Sequence, residues 1–458
     1  MNSIGQTTQL PNYSCTENNA SIQFTLSSSA HSAWNPASSC SLQQCNTSLN
    51  GNNNCRSSST PCFDYRTINN ISYCAPGILC SILERCNNIT QTCSSNNSIC
   101  IINSCCSSQA VCLPFLATFM CKTGWFSTAH MTYTRYSHTA SVLSNGKVLV
   151  TGGIGAGNPF YTAELYDPSA GTWATTSNMT NGRSWHTASV LSNGKVLVSG
   201  GYNGNQNIAE LYDSSTGTWT TTGNMTNART GHTASVLPNG NVLVTGGANV
   251  YTGYLNSTEL YDLSTGNWTT ISSMTNAREY HTAAVLSNGL VLVTGGLRNS
   301  GALNSAELYD PSTSSWTTIS NMNNARYSHT ASVLSNGKVL VTGGYNGNIT
   351  YNSVELYDPS TGIWTTTGNM TNARAGHTAS VLPNGNVLVT GGANGGANGS
   401  ITLNSAELYD PSTSTWTTIS NMNNARDSHT ASVLSNGKVL VTGGYNIFTG
   451  YLYSAELY

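Results

Sequence analysis

The chain is poor in charge, and this shortage excludes several classes of protein. Only 7% of its 458 residues are Asp, Glu, Lys or Arg, and the net charge is −2. In an average soluble protein about a quarter of the residues are charged. Nucleic-acid-binding domains carry clustered Lys and Arg on one face, so we expect no nucleic-acid partner.

Long apolar runs are also missing. The longest candidate, residues 111–121, is interrupted by Pro114, and a membrane-spanning helix needs about 18 or more apolar residues. We therefore expect no membrane span in this chain. The first ten residues show neither the basic nor the apolar segment of a secretory signal. We interpret that as an incomplete N-terminus or a misplaced start.

Cysteine is absent from the last 337 residues, because all 14 cysteines lie between Cys15 and Cys121. An even, dense set in a segment with few large apolar residues predicts a small disulfide-rich domain over residues 1–121. Zinc is the alternative, but no cysteine pair has the two-residue spacing of a zinc knuckle and His31 is the only histidine there. Disulfides persist in oxidising compartments, so we predict a secreted, extracellular protein.

Asn-x-Ser/Thr glycosylation sites carry no weight for that prediction. The chain contains 55 Asn, 61 Ser and 60 Thr, and this composition alone generates roughly 15 such triplets by chance. Together with 44 Gly, these residues instead indicate strands and turns, since helices disfavour them.

Residues 122–458 contain a repeat of about 48 residues, present seven times. Its second copy has four β-like runs, at 186–191, 195–201, 209–213 and 219–222, with an Asn-Gly turn after the first. Each copy carries Arg-x-x-His, a Gly-Gly doublet, Glu-x-Tyr and a Trp. The predicted framework residues are Arg135, His138, Arg183, His186, Arg229, His232, Arg278, His281, Arg326, His329, Arg374, His377, Arg426, His429, Trp125, Trp173, Trp219, Trp268, Trp316, Trp364 and Trp416.

This combination resembles the kelch motif. The resemblance implies an all-β fold, a seven-bladed kelch-type β-propeller over residues 122–458. The last copy ends after its third strand, at Tyr458, whereas Trp125 stands alone before the first copy. We therefore predict that the N-terminal strand completes the last blade and closes the ring.

The recurring charged residues are predicted to be structural. One Arg and one Glu per copy account for 14 of the 34 charged residues, as expected for a buried ion pair in each blade. A metal or catalytic role for the seven histidines is the alternative, but such sets are normally asymmetric around a ring. Galactose oxidase, an enzyme on a kelch propeller, uses a Tyr cross-linked to Cys at its copper, and this propeller region has no Cys. We expect no enzyme and no cofactor.

Variation is confined to one part of each copy. All length differences fall between the Gly-Gly doublet and the repeat Glu, and the two residues between Arg and His also vary. Both places surround one end of the channel and carry aromatic residues, which we expect to be exposed. Exposed aromatic residues are favoured in recognition. Neutral drift in exposed loops is the alternative. The candidate ligand-binding residues are Tyr136, Trp185, Tyr280, Tyr327, Asp427, Phe160, Tyr161, Tyr251, Tyr254, Tyr345, Tyr351, Phe448 and Tyr451.

These observations favour an extracellular binding module that recognises a protein or a glycan through these loops. The arrangement is similar to that of extracellular proteins that join kelch repeats to cysteine-rich modules. A secreted carbohydrate-active enzyme is one alternative. An intracellular kelch adaptor is the other, and the cysteines and the lack of a helical partner-binding domain disfavour it.

Overall fold

A computed structural model describes residues 62–66, 72–76, 98–101, 111–114, 124–155, 160–203, 207–396 and 399–458. Two compact units divide the chain, residues 1–123 and 124–458. The predicted boundary between residues 121 and 122 lies beside this division.

The first unit contains two hairpins in its described part. Cys62–Arg66 pairs with Ser72–Pro76, and Ser98–Ile101 pairs with Val111–Pro114, both antiparallel. The predicted disulfides depend on side chains that lie outside the described residues.

The second unit is a ring of seven four-stranded antiparallel sheets, so the prediction of an all-β, seven-bladed propeller is confirmed. We number the blades 1 to 7 in the order of their first strands. These first strands are Thr139–Val142, Thr187–Val190, Thr233–Val236, Thr282–Val285, Thr330–Val333, Thr378–Val381 and Thr430–Val433. The second strands are Val148–Thr151, Lys195–Ser199, Val242–Thr245, Val291–Thr294, Val339–Thr342, Val387–Thr390 and Val439–Thr442. The third strands are Ala163–Asp167, Ala209–Asp213, Thr258–Asp262, Ala306–Asp310, Val354–Asp358, Ala406–Asp410 and Ala455–Leu457. The fourth strands are Thr172–Thr175, Thr218–Thr221, Asn267–Ile271, Ser315–Thr318, Ile363–Thr366, Thr415–Ile419 and, in blade 7, Phe126–Ser127.

Burial changes from strand to strand within a blade. The first strands of neighbouring blades lie against one another around the channel. The second strands, rich in Val and Leu, are buried at every central position, whereas most residues of the fourth strands are exposed. Continuous β-branched and apolar residues therefore form the middle of the blade, and the Thr-rich fourth strand faces water.

The core lies between blades. In one of the clusters among the described residues, Leu143 and Leu149 of blade 1 pack against Met179, Val196 and Tyr212 of blade 2. The same arrangement recurs around the ring. A single blade cannot bury its apolar faces alone, so the ring must form for any blade to be stable.

The two ends of the repeat region meet in blade 7. Phe126 pairs with Leu457 and Ser127 with Glu456, which places the N-terminal strand beside the last strand of the chain. The rings of Trp125 and Tyr458 also lie 5.2 Å apart. The predicted closure of the ring by an N-terminal strand is confirmed.

Deleting residues 122–128 is expected to lower the free energy of unfolding by roughly 2–4 kcal/mol, because two half-buried aromatic side chains are lost and an edge is exposed. Deleting residues 122–124 instead leaves Trp125 and the pairing intact and is the control. Denaturant unfolding of both variants measures the difference. Equal midpoints for the two deletions would contradict a closing role for this strand.

One end of the channel carries both variable elements, and we call it the variable face. In blade 1 it comprises residues 128–138 and the described parts of 152–162, which isolated bridges such as Tyr136 to Ile154 tie together. The other end, the turn face, carries the Asn-Gly turns and the Asp-containing turns between third and fourth strands.

The variable loops are more regular than the sequence indicated. Among the described residues, four of these loops contain a two-stranded hairpin, which the prediction of four strands per repeat did not include. The hairpins are Ala248–Asn249 with Gly253–Tyr254, Leu297–Arg298 with Gly301–Ala302, Ala393–Gly396 with Gly399–Thr402, and Tyr445–Asn446 with Gly450–Tyr451.

Candidate functional site

The repeat Arg and Glu form a buried ion pair inside each blade. Their N···O distances are 2.6 to 2.8 Å in all seven blades, and the side chains are almost completely buried. In blade 4, Arg278 also donates to the carbonyls of Gly295 and Ser305. Glu307 accepts from the amides of residues 275 and 276. Burial lowers the pKa of Arg278, and the charge of Glu307 partly offsets this. The pair thus holds three parts of one blade together.

The repeat histidines join neighbouring blades. Nε2 of His281 lies 3.0 Å from the hydroxyl of Thr233 and 3.1 Å from that of Thr245, both in the preceding blade. All seven histidines are buried. Burial and nearby arginines lower the pKa of His281 well below its usual value. The side chain is therefore neutral at pH 7 and acts as an interblade bridge.

The Gly-Gly doublets sit where no side chain fits. A Cβ on Gly295, at φ +61, would lie 2.4 Å from the carbonyl oxygen of Arg326 and 2.6 Å from the ring of His329 in the next blade. The amide of Gly296 donates to that same Arg326 carbonyl at 2.9 Å. Close approach of two blades explains the doublet.

A closed circle of backbone hydrogen bonds surrounds the channel on the variable face. The residue immediately before each repeat His donates its N–H to the carbonyl of its counterpart in the preceding blade, at 2.9 to 3.1 Å. All seven have φ between +49 and +62. We call these seven residues the mouth ring: Ser137, Trp185, Gly231, Tyr280, Ser328, Gly376 and Ser428.

The channel behind the mouth ring has a volume of about 450 Å³ and is lined by the ring and the seven histidines. Among the residues that the structure describes, no group of three or more His, Cys, Asp or Glu could hold a metal ion.

An aromatic strip crosses blades 7, 1 and 2 on the variable face. Tyr136 stacks on Tyr451 with ring centroids 5.4 Å apart and an interplanar angle of 12°. Tyr445 contacts both rings, at 6.0 and 5.5 Å. Trp185 packs edge-on to Tyr136 at 5.8 Å and to Tyr202 at 6.2 Å. These rings form a continuous platform because neighbouring blades bring them together.

The sequence matches the KLHDC2/KLHL20/DRC7 Kelch-repeats domain over residues 185–392 and 320–457, and the Kelch motif over residues 135–180. The chain belongs to the kelch-repeat family. Comparison with curated proteins gave no match. The kelch propeller also resembles a solved structure described as a novel fungal alcohol oxidase with catalytic diversity among the AA5 family, in complex with copper. That likeness has a TM-score of 0.61 at 18% identity, covers 73% of this chain and 76% of that chain, and shows the fold alone.

The described part of the chain forms no apolar helix of membrane-spanning length.

The predicted aromatic residues of the kelch propeller differ in exposure. Tyr161, Tyr251, Phe448 and Tyr451 are exposed, with Tyr251 and Phe448 at 87% and 83%. The expectation of exposed side chains is wrong for the rest, because they pack on neighbouring loops. The half-buried residues are Tyr136, Trp185, Tyr280, Tyr327, Phe160, Tyr254, Tyr345 and Tyr351.

Two of the half-buried rings support the kelch framework. Phe160 lies 5.7 Å from the guanidinium of Arg135 and 5.7 Å from the ring of Tyr133. Tyr351 lies 5.2 Å from the guanidinium of Arg326. Both rings therefore cover a buried arginine, a contact that stabilises the cation.

Sequence reasoning missed Glu279, which lies between Arg278 and Tyr280 in the kelch motif of blade 4. Burial raises its pKa to about 7. The same burial, with the charge of Glu279 as a smaller cause, raises the pKa of Tyr280 to about 12. The sequence did set Glu279 apart, since Glu279 and Asp427 are the only acidic residues between a repeat Arg and a repeat His. Tyr202 and Tyr445, in the aromatic strip, were also missed.

Proposed function

We propose that the protein is an extracellular interaction module that recognises a protein or glycan ligand with its variable face. The aromatic strip carries this proposal. Aromatic rings offer large contact areas at low entropic cost and form the energetic centres of most interfaces. The kelch-repeat family supports the coarser role of a protein-interaction module.

Backbone strain in the mouth ring supports the same proposal. Trp185 and Tyr280 have φ of 49 and 50, in the left-handed region, where Gly231 and Gly376 occupy the equivalent positions. A non-glycine residue there costs about 1 kcal/mol or more, and such strain is found preferentially at functional sites. Contact with a ligand would account for bulky aromatic residues at these two strained positions.

Glycans would narrow the accessible part of this face. The glycosylation acceptors Asn178, Asn224, Asn256, Asn348 and Asn369 are exposed on it. In a secreted protein such sites can carry glycans, and the ligand would then reach the aromatic strip between them.

Replacing three aromatic residues of the variable face is expected to weaken ligand binding while preserving the fold. The triple substitution Tyr136→Ala/Trp185→Ser/Tyr280→Ser, which we call the rim variant, introduces only residues that other blades carry at the same positions. Loss of hot-spot aromatics costs roughly 2 kcal/mol or more in binding. A glycan array and a cell-surface binding screen, run on wild type and variant, measure the effect.

The control lies on the turn face. Leu290→Asn copies the Asn of blades 3 and 6 at that position and leaves binding unchanged in our proposal. If the rim variant and the control bind as well as wild type, with all three proteins folded, the aromatic strip is not the binding surface.

The extracellular location rests on the cysteines, which we expect to be paired as seven disulfides. Mass spectrometry of the denatured protein, alkylated with and without prior reduction, counts the free thiols. Paired cysteines are protected from alkylation until reduction. Mostly free thiols in protein secreted from eukaryotic cells would contradict both the disulfides and the location.

A further inference from the structure

A second feature of the variable face lies above blade 6, beside the aromatic strip. A cavity of about 450 Å³ opens there between blades 5 and 7. The small residues Ala375 and Gly376 form its floor, Tyr327 and Tyr345 stand on one side, and Asp427 stands on the other. The two tyrosine rings meet edge to face, with centroids 5.6 Å apart.

We propose that this cavity receives a cationic side chain, Lys or Arg, from a protein partner. The proposal rests on the proposed function and specifies its ligand. Ring faces attract a cation, and a carboxylate on the opposite wall completes a site for one positive charge. The volume lies within the range of ordinary ligand pockets.

The charge distribution favours a cation over an anion or a neutral sugar. Among the described residues that line the cavity, Asp427 is the only charged one. Burial raises its pKa, and a hydrogen bond from Ser428 lowers it. A desolvated carboxylate in this position would be stabilised by a cation supplied from outside.

The Arg and Lys side chains of the described propeller lie away from this cavity. The seven repeat arginines are buried against glutamates. Lys147, Lys195 and Lys338 pair with aspartates beside the turn face. On the variable face, Arg298 binds Asn276 in blade 4, away from the cavity. A cationic partner thus meets no like charge at this pocket.

The internal repeats show that this cavity is where nearly identical blades differ. Segments 306–346 and 406–446 differ only at Ser315/Thr415 and at Tyr327/Asp427. Segments 219–249 and 364–394 differ only at Thr230/Ala375. Two of these three differences, Tyr327/Asp427 and Thr230/Ala375, involve residues that line the cavity. Tyr327 belongs to its tyrosine wall, Ala375 to its open floor, and Asp427 supplies its carboxylate.

Binding of short capped peptides tests the proposal. The probes are acetyl-Gly-Lys-Gly-amide and acetyl-Gly-Arg-Gly-amide, with the norleucine and Glu peptides as neutral and anionic references. Saturation-transfer NMR and calorimetry on the full chain measure their affinities. We expect at least one cationic peptide to bind fivefold or more tightly than norleucine, and Asp427→Asn to reduce that affinity roughly tenfold.

The repeats supply matched variants. Ala375→Thr copies the residue of blade 3 and fills the floor of the cavity, so it should also weaken cationic peptides. Thr230→Ala makes the reverse exchange outside the cavity and should not. Because each substitution already exists in a near-identical blade, thermal unfolding should be little changed, and it is measured for every variant.

Each alternative result has a definite meaning. No preference for cationic peptides up to millimolar concentration, or equal affinity in wild type and Asp427→Asn, overturns the pocket. A glycan or neutral protein that binds wild type and is lost in the rim variant, with no cationic preference, leaves the proposed function standing and overturns this inference alone. If cationic peptides bind through the pocket while the rim variant retains every ligand, the pocket stands and the aromatic strip does not.

Discussion

Acidification from pH 7.5 to pH 4.5 is expected to unfold the propeller. The seven buried histidines have pKa values lowered far below 6.5, to about 3 for His377, with burial as the first cause. In the unfolded chain they titrate near 6.5. As the pH falls below 6.5 the unfolded state therefore binds more protons than the folded state, and stability is lost. For each pH unit of acidification below 6.5, each histidine lowers the free energy of unfolding by about 1.4 kcal/mol, so seven lower it by roughly 10 kcal/mol.

The carboxylates do not obscure this effect. Hydrogen bonds from neighbouring serines lower the pKa of Asp167, Asp213 and Asp358 to about 2, so the stability that these groups contribute is lost only as the pH falls below about 4. Glu279, whose pKa is raised to about 7, takes up a proton more readily in the folded state than in the unfolded state. It therefore offsets the effect of at most one histidine. The pH range from 6.5 to 4.5 therefore reports mainly on the histidines.

Thermal unfolding between pH 7.5 and 4.5 measures the slope. Replacing His281 by Gln keeps a donor and an acceptor near Thr233. It should reduce the number of protons taken up on unfolding by about one, and the slope falls accordingly. A melting temperature that stays constant down to pH 4.5 would show that the histidines are not buried as neutral bridges.

Arg278→Ala is expected to lower the free energy of unfolding by about 3–5 kcal/mol, the usual cost of removing one partner from a buried ion pair. The carboxylate of Glu307 would keep its backbone donors but lose its counter-ion. The Gly295 carbonyl would lose its donor in a buried position, whereas the part-buried Ser305 carbonyl would keep the N–H of Gly295 as a donor.

Lys147→Ala is the matched control, because it breaks an exposed pair in which the ammonium lies 3.2 Å from Asp167. Such surface pairs contribute about 1 kcal/mol or less. Urea unfolding of the two variants compares the costs directly. A loss below about 1 kcal/mol for Arg278→Ala would mean that the pair contributes no more than a surface contact.

The repeat pattern predicted the blades well because it is local. Short runs of β-branched and apolar residues, the Asn-Gly turn and the Gly-Gly doublet each act within a few residues, and together they define the four strands of a blade. Closure could be predicted because the missing fourth strand and the unaccompanied Trp125 stand at opposite ends of the same pattern.

The binding face was less accessible to sequence reasoning. Tyr136 and Tyr445 are separated by about 300 positions in sequence yet lie 6.0 Å apart, because blades 7 and 1 are neighbours in the ring. Half-burial of these rings depends on loop conformation, as does the desolvation of Glu279. Neither property follows from residue type, and the hairpins within the variable loops, closed by two to four pairs each, are too short to give a periodic signal.

The mouth ring also determines how the propeller can come apart. An open array of repeats has two terminal units, and it can fray from either of them while the rest stays folded. A closed circle has no terminal unit, so no blade leaves without breaking bonds on both of its sides. The propeller is therefore expected to unfold as one cooperative unit, with the amide protons of the mouth ring among the last to exchange with solvent.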